Sequence, residues 1–393
     1  MITGGVAAFK ALELIRELTV RGMQVRAVMT EAAERFIARQ SVAAVSGSPV
    51  ATDLFSPDPS PHTELASWAD LIVVVPATAD FIAKLANGFA ADLATTTILA
   101  AAAPVLIAPA MHSNMLAAPA TQRNLATLVK DGRIVLPADF GRLAGGDVGL
   151  GRLLDPSWIG DAIELRLGGA LLDLSDRRVL VSAGGTREAY DAVRYVGNRS
   201  SGRQGWAIAE AAALQGAEVA VVSTVDSPLP EGPVRVVRVE SAFEMEAAMV
   251  EESAAADWIF MAAAVADFRP AEAADRKLKR DGVERLRLEL VANPDILGRL
   301  VAGRRERQLI VGFAAETGSL ASEVERKLAT KRVDILVGND ISSPATGFGA
   351  LHNQVIIADR FGGRVELPLL PKLDVAQELL RQAERVSRQL PQG

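Results

Sequence analysis

The chain contains no cysteine among its 393 residues. Disulfides, thiolate metal sites and a thiol catalyst from this polypeptide are therefore excluded. Histidine occurs only three times, so a histidine that falls within a motif is a candidate for acid-base chemistry. With 49% hydrophobic and 23% charged residues, the chain can bury substantial cores and is long enough for two or three domains.

A broad basic surface and a long apolar run are also absent. The formal net charge is −6, with lysine and arginine dispersed, which argues against nucleic acid as a partner and favours local sites for small phosphorylated molecules. The longest apolar stretches, around 98–111 and 258–266, are too short or too interrupted to span a bilayer. No signal peptide is recognised. We therefore expect a cytoplasmic protein without a membrane partner.

The most informative segment runs from Val179 to Ser223. A β-branched strand leads into Gly184-Gly185, and a polar loop, residues 198–202, then reads Asn-Arg-Ser-Ser-Gly before an Ala-rich helix. This order gathers small polar side chains and free N–H groups at a helix N-terminus, which suits a phosphate. An ordinary strand-to-helix crossover is the alternative, but core packing does not require so many polar residues together.

The order of predicted elements favours an α/β fold with two doubly wound domains. In the first half, the predicted strands are Val25–Met29, Leu71–Val75, Val105–Ala108 and Arg133–Leu136, and the predicted helices are Ala8–Arg21, 79–87 and 121–130. In the second half, strands are predicted near 218–223, 235–239, 257–262, 308–312 and 334–338, with a terminal helix over Val375–Arg388. A helix over Pro156–Leu167 and the polar stretch Asp173–Arg178 predict domains 1–170 and 171–393.

The first strand of the N-terminal sheet is missing from the pattern. Gly4-Gly5 sits where a loop should follow that strand, yet only Met1 and Ile2 precede it. Two explanations remain open at this point. Either the natural start lies upstream, or the sheet lacks a strand that others have.

Neither half carries a common nucleotide-binding signature, because a P-loop and a G-x-G-x-x-G with an acidic ribose ligand are both missing. Other segments are more specific. In the first half they are His62-Thr-Glu-Leu-Ala, Pro76-Ala-Thr-Ala79, Pro109-Ala-Met-His-Ser-Asn-Met115 and the Gly-rich 141–152; in the second they are Ala262-Ala-Ala-Val-Ala-Asp267, Lys277-Leu-Lys279, Asn293-Pro-Asp-Ile296 and Gly312-Phe-Ala-Ala-Glu-Thr317. Taken in this order, they closely resemble the bifunctional coenzyme A biosynthesis flavoproteins over essentially the whole chain.

The resemblance implies two enzymes in one chain. A flavodoxin-like N-terminal domain is expected to be an FMN-dependent phosphopantothenoylcysteine decarboxylase. A Rossmann-like C-terminal domain is expected to be a phosphopantothenate–cysteine ligase, which activates 4′-phosphopantothenate with CTP, releases pyrophosphate, and passes the acyl cytidylate to cysteine with loss of CMP. Mg2+ is implied with the triphosphate, although the sequence shows no dedicated metal cage.

In the decarboxylase half, the resemblance assigns His62 as the catalytic histidine, where a neutral imidazole can accept a thiol proton; a surface histidine without a role is the alternative. The implied FMN-binding residues are Gly4, Gly5, Thr30, Pro76, Ala77, Thr78 and Met111. His112 stands where most members have an asparagine that binds the substrate carboxylate, and an imidazole N–H can also donate to a carboxylate. The flap cysteine of the family is absent, since that segment reads Ala144-Gly145-Gly146-Asp147.

In the ligase half, the resemblance assigns Asn198 to turnover of the acyl cytidylate and Lys277 to its formation, where a cation offsets charge on the triphosphate. Arg194 is expected to pair with a phosphate or carboxylate. The other implied substrate- and nucleotide-binding residues are Ser200, Ser201, Gly202, Ala263, Ala264, Asp267, Pro294, Asp295, Ile296, Leu297, Phe313, Lys327 and Lys331. The last two are four residues apart and thus on one face of a predicted helix. A solvated basic surface is the alternative for the lysines.

Three hypotheses follow from these motifs. The first is the full bifunctional enzyme. The second is a ligase fused to a degenerate FMN-binding decarboxylase domain that serves as an oligomerisation scaffold. The third is a non-catalytic flavin-binding regulatory protein, against which Asn198 and the lysines count. The resemblance also implies a homo-oligomer, with trimeric decarboxylase contacts and dimeric ligase contacts.

Overall fold

The computed structural model describes residues 1–55, 60–168, 172–229, 234–279, 284–316, 320–340 and 349–390. These residues form two compact α/β units. Unit 1 contains the described residues up to 168, and unit 2 contains those from 172 onward. Within these ranges, no helix combines the length and the apolar character needed to cross a membrane.

Unit 1 is built around a three-stranded parallel sheet in the order β1-β2-β3. Its strands are β1 (Ile72–Ala77), β2 (Val105–Pro109), β3 (Ile134–Val135), β4 (Asp139–Arg142) and β5 (Val148–Arg152). Its helices are α1 (Lys10–Val20), α2 (Arg39–Ser46), α3 (Pro61–Trp68), α4 (Ala79–Ala86), α5 (Leu93–Ala100), α6 (Ser113–Ala117), α7 (Pro119–Lys130) and α8 (Pro156–Leu167). β4 and β5 form a separate antiparallel hairpin.

The sheet of unit 1 forms because β1 and β2 are short apolar runs that are buried along nearly their whole length. This is typical of parallel strands covered on both faces. Val74 lies opposite Ile107 in the ladder, and both side chains are fully buried. The loop after β1 is fixed by the next helix, because the Thr78 hydroxyl accepts a hydrogen bond from Phe81 N (3.4 Å) at the start of α4.

The prediction of an extended strand over Val25–Met29 is wrong. Only two isolated parallel bridges form there, between Val28 and Ala51 and between Met29 and Ile2. The physical reason is that each bridge joins a single residue pair, with Ile2 on one side and Ala51 on the other, so neither neighbour pairs with the segment over a regular ladder. The first strand that the sequence pattern lacks is also absent as a regular strand from the described residues. The other elements predicted in this half are present within two residues at each end.

Unit 2 is built on one eight-stranded sheet in the order β10-β9-β6-β11-β14-β15-β16-β17. Its strands are β6 (Arg178–Ala183), β7 (Arg187–Ala189), β8 (Tyr195–Gly197), β9 (Glu218–Ser223), β10 (Val234–Arg238), β11 (Trp258–Met261), β12 (Phe268–Pro270), β13 (Leu290–Ala292), β14 (Leu309–Glu316), β15 (Ile335–Asp340), β16 (His352–Asp359) and β17 (Arg364–Pro371). Its helices are α9 (Arg203–Leu214), α10 (Ala242–Ser253), α11 (Ile296–Ala302), α12 (Leu320–Lys331) and α13 (Lys372–Ser387).

The strands that the sequence predicts in this half form the parallel part of the sheet, from β10 to β15. β16 and β17 pair antiparallel at its edge, which adds a hairpin to the doubly wound arrangement. Two short antiparallel pairs, β7 with β8 and β12 with β13, lie outside the main sheet. The fold class is therefore confirmed, with a mixed rather than purely parallel second sheet.

The Ala-rich helix α9 lies unusually close to β6. A Cβ added at Gly205 would lie 2.7 Å from Ser182 O and 2.9 Å from the Ala183 Cβ. The absence of a side chain at Gly205 thus permits the contact. This packing fixes the start of α9 beside the carboxyl end of β6, where ligands bind in open α/β sheets.

Candidate active sites

The carboxyl edge of the unit 1 sheet brings together several residues predicted to bind a flavin. Thr3 Oγ1 donates to Pro76 O (2.6 Å), and Thr78 N donates to Thr3 Oγ1 (3.3 Å). Gly5 lies against Thr78, since a Cβ at Gly5 would be 3.2 Å from Thr78 Cγ2. Thr3 is therefore the organising side chain of this edge, although the sequence motifs do not single it out.

Gly4 and Thr30 lie on the adjoining loops. A Cβ at Gly4 would be 2.3 Å from the Ala32 Cβ, so glycine permits the two loops to meet. Thr30 N donates to Ile2 O (3.1 Å), and Thr30 O accepts from Ala33 N (2.9 Å). The loop with Thr30 is thereby held beside the residues that precede Gly4.

Ala77 and Met111 connect this edge to the flap, which we define as the β4–β5 hairpin, residues 139–152. Ala110 N donates to Ala77 O (3.0 Å), and Met111 N donates to Gly151 O (2.9 Å). Gly151 has a φ of +138°, and a Cβ there would lie 2.2 Å from Met111 O. Only glycine fits at that position, so the base of the flap is firmly attached beside Met111.

The flap presents a carboxylate to His112. His112 Nε2 lies 3.2 Å from Asp147 Oδ2, and Asn114 N donates to His112 Nδ1 (3.2 Å). Because Nδ1 accepts a hydrogen bond, a neutral imidazole carries its proton on Nε2 and donates it to Asp147. Asp147 thus engages the N–H group that the sequence analysis assigns to a substrate carboxylate.

His62 lies in the first turn of α3, and its Nδ1 is buried without a hydrogen-bond partner among the described residues. A buried polar atom of this kind costs free energy unless a ligand satisfies it. The unpartnered nitrogen of His62 fits a polar group that a substrate satisfies, and the glycine-lined sheet edge separately fits FMN. Gly4, Gly5, Thr30 and Thr78 would hold the flavin phosphate through backbone amides and hydroxyls.

In unit 2, the predicted phosphate loop lines a pocket of about 130 Å³. Six residues of the predicted set line this pocket: Ser200, Ser201, Gly202, Ala263, Ala264 and Phe313. Gly202 has a φ of +74°, and a Cβ there would lie 2.9 Å from Gly184 N. The loop therefore requires glycine at this position. Asp267, Lys277, Lys327 and Lys331 lie outside the lining of the pocket.

Asn198 is held beside this pocket. Its Nδ2 donates to Ala264 O (3.2 Å) and to Val265 O (3.1 Å). A Cβ at Gly185 would lie 2.7 Å from Asn198 O. Gly185 thus permits two loops of the protein to approach each other. The side chain of Asn198 is fixed next to Ala264, which lines the pocket.

Arg194 is engaged within the protein. Its guanidinium donates to Asp191 Oδ2 through Nε (2.9 Å), and its Nη2 donates to Leu278 O (2.6 Å). Asp191 Oδ2 also accepts from Leu278 N (3.1 Å). The bond from Arg194 holds the pKa of the Asp191 carboxyl far below its ordinary value. The pair clamps the backbone next to the exposed Lys277, while the predicted ligand contact of Arg194 stays a prediction.

Two predicted nucleotide-binding segments meet at an ion pair. Lys331 Nζ lies 2.7 Å from Asp295 Oδ2, and Asp295 Oδ1 accepts from Gly298 N (3.0 Å) at the start of α11. Burial alone would raise the pKa of Asp295, but the bonds from Lys331 and Gly298 N lower it below its ordinary value. Lys327 lies four residues before Lys331 on α12, so the predicted helical spacing of the two lysines is confirmed.

Asn293 connects Asp267 and Pro294, two residues that are predicted to bind the nucleotide. Its backbone N donates to Asp267 O (2.8 Å), and Pro294 follows it directly. Its Oδ1 is buried without a partner among the described residues. Ile296 and Leu297 follow in the first turn of α11. Asn293 therefore offers an acceptor without a described partner beside the segment that the resemblance assigns to substrate and nucleotide binding.

Sequence reasoning misses five polar residues that line the pocket: Arg203, Gln204, Asn339, Asn353 and Lys372. Arg203 directly follows the polar loop, so its position in the sequence could have indicated it. Asn353 and Lys372 open β16 and α13, a region that the quoted motifs do not reach. The part of the chain that the structure describes holds no group of three or more His, Asp or Glu side chains that could bind a metal ion.

The fold and the sites define a protein of two α/β units, one with a glycine-lined sheet edge that fits a flavin and one with a pocket lined by the polar loop. Residues 1–168 match the family described as Flavoprotein, and residues 174–386 match the DNA/pantothenate metabolism flavoprotein C-terminal domain. The chain is 42% identical over 394 aligned positions to the coenzyme A biosynthesis bifunctional protein CoaBC of Bacillus subtilis (strain 168), which covers 99% of this chain and 96% of that relative.

The protein of the same name from Escherichia coli (strain K12) is 43% identical over 386 positions, covering 96% of this chain and 94% of that relative. Among solved structures, the C-terminal domain of a coenzyme A biosynthesis bifunctional protein CoaBC is 37% identical and covers 55% of this chain and 98% of that chain, with a TM-score of 0.47. The chain belongs to the family of coenzyme A biosynthesis bifunctional proteins.

Proposed function

We infer that this chain is a bifunctional enzyme of coenzyme A biosynthesis, with a phosphopantothenoylcysteine decarboxylase activity and a phosphopantothenate–cysteine ligase activity. Family membership over nearly the whole chain supports both activities. We assign the decarboxylase to residues 1–170 and the ligase to residues 171–393. This assignment follows the two matched family regions.

For the ligase, we propose that CTP activates the carboxylate of 4′-phosphopantothenate. Pyrophosphate leaves, and cysteine then attacks the acyl cytidylate and displaces CMP. The observation that carries this proposal is the pocket that Ser200–Gly202 share with Ala263, Ala264 and Phe313, because residues from distant motifs converge on one space beside a helix N-terminus.

The polar residues around this pocket have separate proposed roles. Asn198, fixed by two carbonyl groups, positions the acyl cytidylate for attack by cysteine. Lys277, next to the clamp of Arg194 and Asp191, offsets negative charge as the cytidylate forms. Lys327 and Lys331 approach the triphosphate from α12, which requires Lys331 to exchange Asp295 for a phosphate.

For the decarboxylase, we propose that the sheet edge of unit 1 binds FMN, which supplies the redox chemistry of the reaction. His62 accepts the proton of the substrate thiol at its unpartnered Nδ1. His112 donates its Nε2 hydrogen to the substrate carboxylate once Asp147 has moved away. The product of the ligase is thus converted to 4′-phosphopantetheine.

Further parts of the proposal rest on the resemblance. Mg2+ accompanies the triphosphate of CTP, because triphosphates and water supply most of its ligands in such sites. The cytoplasm is the proposed location. A homo-oligomer with trimeric decarboxylase contacts and dimeric ligase contacts is the proposed assembly.

The ligase roles are tested by pyrophosphate release from 4′-phosphopantothenate, cysteine and CTP. We expect Lys277→Gln to lower kcat by about 10²-fold or more, the usual cost of removing a charge-stabilising group. Asn198→Asp should also lower kcat, because a carboxylate cannot donate to the Ala264 and Val265 carbonyl groups that position the side chain. The exposed Arg381 on α13 provides a control, and Arg381→Gln should retain wild-type activity. Wild-type kcat in either active-site variant would refute the assigned role.

A further inference from the structure

Two cations of unit 2 converge on the pocket that contains the phosphate loop. Arg203 lies at the first position of α9 and Lys372 at the first position of α13, and both line the pocket of about 130 Å³. The motifs that carry the family resemblance include neither residue. Their positions are fixed by a set of hydrogen bonds that join three elements.

Main-chain carbonyl groups hold both cations. Lys372 Nζ donates to His352 O (3.1 Å), and Arg203 Nη1 donates to Gly349 O (2.9 Å). The backbone of Lys372 is held as well, because its carbonyl accepts from Gln204 Nε2 (3.3 Å). The starts of α9, β16 and α13 are thus connected around the pocket.

Among the described residues, both cations are hydrogen-bonded to carbonyl groups and not to carboxylates. No ion pair within the described residues joins Arg203 or Lys372 to Asp or Glu. Burial, and then the positive charge of Arg203, lower the pKa of Lys372 below its ordinary value. Two like charges beside one pocket repel each other, and a half-buried ammonium loses hydration, unless an anion lies between them. An uncompensated pair of this kind is therefore suited to an anionic ligand.

The pocket also contains groups that bind phosphate. Ser200 and Ser201 supply hydroxyl groups, and Asn353 supplies an amide whose Nδ2 is 3.2 Å from Gln204 Oε1. We propose that Arg203 and Lys372 form a phosphate-binding pair, which holds a phosphate group of a ligase substrate. The phosphate belongs either to the triphosphate of CTP or to 4′-phosphopantothenate. This inference rests on the proposed ligase function.

The test compares the full-length wild type with Lys372→Gln and Arg203→Gln. Loss of a charge-assisted hydrogen bond to phosphate should weaken binding by about 10- to 100-fold. We therefore expect the KM of one substrate to rise by that factor while kcat changes less. A higher KM for CTP identifies the triphosphate as the ligand, and a higher KM for 4′-phosphopantothenate identifies the other phosphate. Lys372→Arg should restore part of the affinity, because it keeps the charge.

Equilibrium binding of CTP and of 4′-phosphopantothenate, measured by calorimetry on the same proteins, separates this inference from the proposed function. A wild type that binds these ligands without releasing pyrophosphate would contradict the ligase function, yet weaker binding by Lys372→Gln would still support the pair. Equal affinities in wild type and both Gln variants would overturn the pair. A wild type that binds neither ligand would overturn both the ligase function and the phosphate-binding pair.

Arg381→Gln, on α13 like Lys372, controls for the loss of one charge, and thermal unfolding verifies that each variant is folded.

Discussion

At the scale of single residues, the contact between Asp147 and His112 predicts competition between the flap and the substrate. The flap carboxylate engages the imidazole N–H that we propose as the donor to the substrate carboxylate. An exposed pair of this kind contributes at most about 1 kcal/mol, so Asp147→Ala should lower the KM for phosphopantothenoylcysteine by about twofold to fivefold. Release of CO2 at varied substrate concentration measures this effect.

The exposed Asp131, which ends α7, is the matched control for that variant, because Asp131→Ala removes a carboxylate outside the flap. An unchanged or higher KM in Asp147→Ala would show that the flap carboxylate does not compete with the substrate.

A second residue-scale prediction concerns Asp191, whose bonds to Arg194 and Leu278 hold the loop that carries Lys277. Its folded-state pKa lies below the unfolded value, so its stabilising effect is present above about pH 4 and is lost as the pH falls through the folded-state pKa. Asp191→Asn should therefore lower the free energy of unfolding at pH 7, and the difference from wild type should shrink below about pH 4.

Urea unfolding between pH 7 and pH 3 measures the difference in the free energy of unfolding. Asp275→Asn, an exposed substitution in the loop that carries Lys277, is the control. The same Asp191 variant should also lose ligase activity, because the backbone beside Lys277 is released. A constant gap in stability across the pH range would contradict the role of the ion pair.

At the scale of elements, the close packing of α9 on β6 predicts a steric limit at Gly205. A Cβ there meets Ser182 O at 2.7 Å. Overpacking of this kind costs about 1–3 kcal/mol, and the better helix propensity of alanine returns up to about 1 kcal/mol, so we expect Gly205→Ala to destabilise unit 2. At Gly303, the nearest atom to an added Cβ is 3.5 Å away, so Gly303→Ala is the control. Equal melting temperatures for both variants would contradict this packing.

The central elements of both units can be predicted from the sequence because their apolar runs and helical periods are local properties. The strand predicted at Val25–Met29 shows the limit of that reasoning, since a strand also requires a partner with enough residues to pair. The β16–β17 hairpin and the short pairs β7–β8 and β12–β13 are not predicted from the sequence. β8 is exposed throughout, and β13 and β17 contain no buried residue, so these strands lack the buried runs that mark the central strands. Their structure depends on pairing with a neighbouring strand.

The sites also divide into features that are local in the sequence and features that depend on the folded chain. The polar loop Asn198–Gly202 is contiguous, so its chemistry can be recognised from the sequence. Lys372 is separated from Arg203 by 169 positions, as the numbering shows, and only the folded sheet brings the two beside one pocket. The clamp formed by Arg194 and Asp191 also depends on tertiary structure, because both side chains bond to the backbone of Leu278, which is distant in the sequence.

At the scale of the whole molecule, we propose that the two units of one chain catalyse two successive reactions of one pathway. The ligase makes phosphopantothenoylcysteine, and the decarboxylase consumes it. The chain contains no cysteine, so the decarboxylase must complete its reaction without a thiol group of its own. We propose that His62, with its unpartnered Nδ1, and His112, which contacts Asp147, are its acid-base groups.

The most direct test of the two activities is a single incubation of the full chain with 4′-phosphopantothenate, cysteine, CTP, Mg2+ and FMN, followed by mass analysis of the products. We predict 4′-phosphopantetheine as the end product, with pyrophosphate, CMP and CO2 released in equal amounts. Phosphopantothenoylcysteine as the end product would contradict the decarboxylase activity, and the absence of pyrophosphate would contradict the CTP-dependent ligase.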